Sequence, residues 1–188
     1  MGTTTFARSL YAVFLLLTLT IQQAMAQSVL IPSPPAIAAS SYLLMDPKSG
    51  TILMEENSHE RLPPASLTKM MTAYIVEREL DEGRLSMSDM VPISVNAWKT
   101  GGSRTFIQEG TEVSVEELLK GVIIQSGNDA SVALAEFVAG SEEAFVDIMN
   151  QQAQLLGMTN TNFQNATGLP APDHFSTAYD LALLARAI

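Results

Sequence analysis

Ser66-Leu67-Thr68-Lys69 sets a hydroxyl and an amine three positions apart. On a helix such residues are neighbours on one face, with Cβ atoms about 5–6 Å apart. A serine hydroxyl attacks poorly until a base takes its proton, and a lysine is that base only when neutral. Burial lowers a lysine's pKa, and Met70, Met71 and Tyr74 stand ready to bury it. A helix N-terminus at the serine would add N–H groups and partial positive charge where an oxyanion forms. Alone the pattern is weak, because it arises by chance about once in a chain of this length. Without further context the plainer reading, a helix-start serine followed by a surface lysine, is the better one. A second polar cluster, Ser126-Gly127-Asn128, splits two apolar segments. Such a break costs stability unless the loop has a use. Ser126 could pass protons near Lys69, and Asn128 offers a donor and an acceptor to a peptide-like substrate. The competing reading is a helix–helix turn with Asp129 as the cap.

The elements around these clusters favour chemistry. Ser66 to Leu80 reads as a helix with apolar residues on more than one face, so it belongs at the centre of the fold and leaves Lys69 little solvent. Arg61-Leu62-Pro63-Pro64-Ala65 before it is a stiff loop, since each proline fixes φ. Ser41–Asp46 and Thr51–Glu55, joined by Pro47-Lys48-Ser49-Gly50, predict a β-hairpin. A short strand is expected around Met90–Ser94 in an otherwise polar stretch from Asp81 to Gly110. Ser114-Val115-Glu116-Glu117 is a capping box that opens a helix to Gln125. Further helices are expected over Asp129–Ala139, from Ser141 to Gly157, and from Ser176 to Ile188, with an irregular stretch over Thr159–Phe175.

Composition narrows the classes. The 188 residues are 47% hydrophobic and 16% charged, which excludes a disordered chain. Twenty acidic residues against ten basic ones give a net charge of −10, and no Lys/Arg cluster offers a nucleic acid a landing site. The absence of cysteine removes disulfides, thiol nucleophiles and thiolate metal sites together. With only His59 and His174, a multi-histidine metal site is not expected. Arg8, the apolar run Leu10–Ile21 and Ala24-Met25-Ala26 read as a secretory signal peptide over 1–26, shorter than a spanning helix of about 20 apolar residues. Residues 27–40, with Pro32, Pro34 and Pro35, read as an extended lead-in, and 41–188 as the catalytic domain. A cysteine-free exported chain suits a bacterial periplasm. His174 reads as a loop histidine, Trp98 and Arg104 as packing or solvent-exposed residues beside the cleft, and the methionines as core filler.

Pro64-Ala65-Ser66-Leu67-Thr68-Lys69-Met70-Met71-Thr72 followed by Gln125-Ser126-Gly127-Asn128-Asp129-Ala130 resembles the serine D-alanyl-D-alanine carboxypeptidases, the low-molecular-mass penicillin-binding proteins. Leu156-Gly157-Met158, Thr161-Asn162-Phe163, Asn165, Gly168-Leu169 and Ser176-Thr177-Ala178-Tyr179-Asp180 fit the same family, so the resemblance covers essentially all of 40–188. It implies an α+β, β-lactamase/transpeptidase-like fold, with a helical cluster against an antiparallel sheet. It implies that Ser66 is the nucleophile, Lys69 the general base, Ser126 a proton relay and Asn128 a substrate holder. The implied partners are peptidoglycan stem peptides ending in D-Ala-D-Ala and, as strained mimics of that amide, β-lactams. No metal or other cofactor is called for.

One departure qualifies the match. The family's third motif, K-T-G, lies on a strand well downstream, whereas the only Lys-Thr-Gly here is Lys99-Thr100-Gly101, ahead of Ser126. It reads as a chance match in a loop. The chain therefore reads as the front part of a longer protein, its sheet incomplete and any membrane contact confined to a missing C-terminal region. Two alternatives follow: a catalytically silent, truncated cell-wall-binding protein, and a class A β-lactamase. The latter needs a deacylating glutamate in the loop after the second motif, and 159–175 contains none.

Overall fold

The structure is a computed structural model that describes residues 35–188; the expected signal peptide and residues 27–34 of the lead-in lie outside the described residues. Residues 35–40 have no regular secondary structure. The hairpin follows, with β1 (Tyr42–Met45) antiparallel to β2 (Ile52–Glu56) and Tyr42 opposite Glu56. Its turn closes on Asp46, whose Oδ1 accepts from the backbone N–H groups of Lys48 at 2.9 Å and Ser49 at 2.7 Å. No third strand joins this sheet among the described residues, and Leu44, Ile52 and Leu53 are exposed on it. The hairpin expected from the sequence is present.

A 3-10 turn (Ala65–Thr68) leads into α1 (Lys69–Asp81), so Ser66 stands one step before the α-helix rather than in its first turn. The short strand expected around Met90–Ser94 is present, and the polar stretch around it also holds a short helix. Strand β3 (Met90–Pro92) pairs with β4 (Glu112–Ser114), and α2 (Val95–Lys99) is capped by Ser94, whose hydroxyl accepts from Ala97 N–H. The helix and β4, of five and three residues, are too short for periodicity to reveal. Lys99-Thr100-Gly101 lies at the end of α2 and on no strand.

Helix α3 (Val115–Gln125) opens on Ser114, α4 is Asn128–Ala139, α5 (Glu142–Leu155) opens on Ser141, and α6 is Ala178–Ala187 with Thr177 as cap. Asp129 is not the cap of α4; Gly127 holds that position. Two apolar cores result. Val91, Ile93, Val115, Leu118, Val122 and Val132 fill one; Phe145, Met149, Met158, Phe163 and Leu184 fill the other. Helix α1 feeds both, Ala73 and Val76 into the first and Met71 and Ile75 into the second. That is the central position its apolar pattern demanded. Each fully buried Phe or Leu contributes about 1.5–3 kcal/mol.

Candidate active site

The Ser66 turn is held from outside. Neither Pro64 before the turn nor Thr68 before α1 makes a side-chain capping bond, and Ala65 has φ +48°, a left-handed step without glycine. Such a step costs about 1–2 kcal/mol and persists only where its surroundings impose it. The surroundings are the irregular stretch 159–175. Gly168 (φ +85°) passes so close that a Cβ there would sit 1.8 Å from Ala65 O. Thr72 Oγ1 donates to Ala166 O at 2.8 Å, and Lys69 Nζ donates to Thr167 O at 2.6 Å. Thr68 Oγ1 lies 3.0 Å from His174 Nε2. Asn165 Oδ1 stiffens the segment by accepting from the N–H groups of Thr167 and Gly168 and from Thr167 Oγ1. From behind, Glu142 Oε1 accepts from Ala166 N–H at 3.0 Å, and burial raises the carboxyl's pKa. This glutamate supports the loop but does not line the pocket described below.

Lys69 is 5% exposed, and burial pushes its pKa down from 10.5 to about 8. Its Nζ lies 3.5 Å from Ser66 Oγ. The sequence argument for a buried, easily neutralised lysine is met, and Ser66 itself is exposed to solvent.

Ser126 ends α3 in the left-handed conformation, φ 55° and ψ 38°, and its buried hydroxyl finds no hydrogen-bond partner among the described residues. The turn behind it is strapped by the loop before β4. Asp129, fully buried, accepts on one oxygen from Thr105 N–H, Thr105 Oγ1 and Ala130 N–H, each at 2.9 Å. Thr105 Cγ2 then nests where Gly121 and Gly127 lack side chains; a Cβ would meet it at 2.3 Å and 2.8 Å respectively. Asp129 Oδ2 and Arg104 Nε, both buried, stand 3.9 Å apart without a hydrogen bond.

Ser66, Lys69 and Ser126 line one pocket of about 290 Å³, with Met70, Ala73 and Glu77 from α1 and Val122 and Ile123 from α3. Its walls are mostly apolar with a few convergent polar groups, as ligand sites are. Asn128 is not on that wall. It is 4% exposed, and its Nδ2 donates to Gly101 O at 2.7 Å, tethering the same loop. Trp98 and Arg104 are likewise absent from the lining.

Sequence reasoning missed Thr167, whose backbone carbonyl holds the lysine; a carbonyl carries no residue-type signal. It also missed the Asp129–Thr105 strap and the burial of His174, which is 7% exposed. The one available clue was a glycine beside a small polar residue at 167–168.

Comparison with known proteins agrees with this geometry. Residues 28–188 match the peptidase S11 family, D-alanyl-D-alanine carboxypeptidase. The chain is 50% identical over 160 residues to D-alanyl-D-alanine carboxypeptidase DacC of Escherichia coli K12, an alignment that covers 82% of this chain and 40% of that one. The chain thus spans about 40% of the length of this curated relative. The crystal structure of D-alanyl-D-alanine carboxypeptidase DacD from Francisella tularensis superposes with a TM-score of 0.82 at 46% identity, covering 87% of this chain and 40% of the other. Penicillin binding protein 5 from Haemophilus influenzae gives a TM-score of 0.80 at 45% identity over 83% of this chain and 46% of its own. The α+β fold expected from the motifs is therefore the penicillin-binding, transpeptidase-type fold. With sequence and fold in agreement over nearly every described residue, one assignment follows: the chain belongs to the D-alanyl-D-alanine carboxypeptidase family.

Proposed function

We propose that the chain carries the acylating centre of a serine D-Ala-D-Ala carboxypeptidase that trims peptidoglycan stem peptides in the periplasm after export through residues 1–26. The observation that supports this best is the buried Lys69, its pKa near 8 and its Nζ 3.5 Å from Ser66 Oγ. As a neutral amine, Lys69 keeps an N–H on Thr167 O and turns its lone pair toward the serine. Ser66 Oγ attacks the carbonyl carbon between the two D-alanines while its proton passes to Lys69 Nζ. The C–N bond breaks, and the departing D-alanine amine takes a proton from Lys69 by way of Ser126. Water then hydrolyses the acyl-Ser66 ester, and its proton restores the serine. The unpartnered Ser126 hydroxyl suits the relay, since it is free to accept from one side and donate to the other. Asn128 would hold the substrate backbone through the hydrogen-bonding capacity not spent on Gly101. A β-lactam presents the same amide under strain, acylates Ser66 and leaves slowly.

Mass spectrometry after incubation with benzylpenicillin tests the reading. A single adduct on Ser66, absent from Ser66→Ala, is expected; an adduct elsewhere, or undiminished labelling of the variant, refutes it. The rate should follow neutral Lys69. Below its pKa of about 8 it falls tenfold per pH unit, so that at pH 7 about a tenth of the molecules are competent.

The family's third motif is a Lys-Thr-Gly downstream of Ser126, and its contribution can be tested directly. In the family one oxyanion donor follows that motif. Losing one donor costs about 10²–10³ in rate. Residues 27–188 alone should release D-alanine from diacetyl-Lys-D-Ala-D-Ala more slowly, by that factor, than the same chain joined to a downstream K-T-G strand. Equal rates would show that the motif is dispensable.

A further inference from the structure

We propose that His174 is a positioning residue for the Ser66–Lys69 pair: its Nε2–H donates to Thr68 Oγ1, and that bond holds the turn in the shape that keeps Lys69 buried beside Ser66. The inference rests on the acyl-serine reading of the site.

Thr68 lies between the two reacting residues, fully buried, in a turn with no side-chain cap and a left-handed residue at Ala65. The other ties to this turn all converge on 166–168: Ala65 against Gly168, Lys69 on Thr167 O and Thr72 on Ala166 O. His174 alone approaches from a separate point. Its base is rigid, because its neighbours are pinned by the bridges Asn162–Phe175 and Leu62–Ser176, and its own N–H donates to Ala171 O at 3.2 Å. The ring is edge-on to Phe163, with centroids 6.0 Å apart and planes at 85°. Among the described residues the imidazole's one side-chain hydrogen-bond partner is Thr68 Oγ1.

The tautomer follows from what is unpaired. His174 Nδ1 is buried and has no partner. A proton there would be an orphaned buried N–H, which is rare and costly; a bare lone pair is the smaller penalty. On that ground we place the proton on Nε2, aimed at Thr68 Oγ1. Burial also lowers the ring's pKa below its usual 6.5, in keeping with a neutral donor. A merely structural histidine would stabilise the loop and leave the lysine's titration alone. A positioning histidine sets how buried Lys69 is, and so what pH neutralises it.

The test uses the full chain labelled with 13C at lysine Cε; only Lys48, Lys69, Lys99 and Lys120 contribute signals. In the wild type the Lys69 resonance should titrate near pH 8. In His174→Ala and Thr68→Val the turn loosens, water reaches the ammonium, and the midpoint should rise by about one unit. His174→Gln, which keeps an N–H donor of similar reach, should stay near the wild-type midpoint. Acylation of Ser66 at pH 7 should fall about tenfold with each one-unit rise, from the smaller neutral fraction alone. An unmoved midpoint in both His174→Ala and Thr68→Val overturns the proposal. So does a Gln variant that shifts as far as Ala, or an imidazole whose 15N shifts report the Nδ1–H tautomer. If His174→Ala fails to fold, Thr68→Val and His174→Gln decide. Failure of Ser66 to react with benzylpenicillin at any pH counts against the acyl-serine reading instead, and leaves the Lys69 titration readable.

Discussion

Ser66 and Ser126 face one pocket, and each stands where the backbone takes a left-handed step without glycine, at Ala65 and at Ser126 itself. Their surroundings differ in kind. The Ser66 side is tied down: Thr68, Lys69 and Thr72 each send a side-chain hydrogen bond to the 166–174 segment. On the Ser126 side the fixing bonds go to the neighbour, Asp129, and the serine hydroxyl has none. In the proposed roles, a base must be held at one distance from its nucleophile, so its environment is over-determined, whereas a relay must switch partners, and a hydroxyl already committed could not. Two scaffolds therefore serve one site, and breaking them separately tells them apart.

The largest effect should come from the shared residue. Lys69→Ala removes the base and should lower the acylation rate about 10²–10⁴-fold with an unchanged far-ultraviolet circular dichroism spectrum. Undiminished labelling by a fluorescent penicillin would mean that another group takes the proton. Next is the Ser66 scaffold. Gly168→Ala forces a Cβ into Ala65 O at a positive φ, in a segment whose backbone is fixed on both sides. A loss of about 2–4 kcal/mol in urea unfolding is expected, with the Lys69 midpoint raised in whatever folds. The Ser126 scaffold should give the smallest change. Asp129→Ala leaves Thr105 N–H and Oγ1 without their acceptor, at a cost of about 1–3 kcal/mol. Here the Lys69 midpoint should remain near 8, because no bond from Asp129 reaches α1. A shifted midpoint in Asp129→Ala would show that the two scaffolds are one.

Much of this was legible in residue types. The hairpin turn carries Asp46 and Gly50, the helices α3, α5 and α6 open on Ser114, Ser141 and Thr177, and each of those hydroxyls accepts from the N–H three positions on. Caps and turns are local, so a few neighbouring residues dictate them. The helical start at Ser66 was placed one turn too simply. Nothing in Ala65 announces a positive φ; it is packed against Gly168, about a hundred residues on in sequence. Asp129 had the right type for a cap but serves as a strap, because Thr105 reaches it from the loop and Gly127 takes the capping position. The short strand around Met90 was legible, whereas α2 and β4 exist through pairing and packing, which a window of sequence cannot weigh.

The sequence by itself determined the family and singled out the pair proposed to react. A Ser and a Lys three apart at the head of an apolar helix can only become neighbours, and an all-round apolar helix can only be central. What tertiary structure decided is whether that pair is competent. The depressed pKa of Lys69 comes from burial by the whole fold, its orientation from a carbonyl at Thr167, and its geometry from a histidine in the irregular stretch before α6. Desolvation and backbone carbonyls act through space and have no letter in the sequence. Only the folded chain could therefore turn a common four-residue pattern into a site.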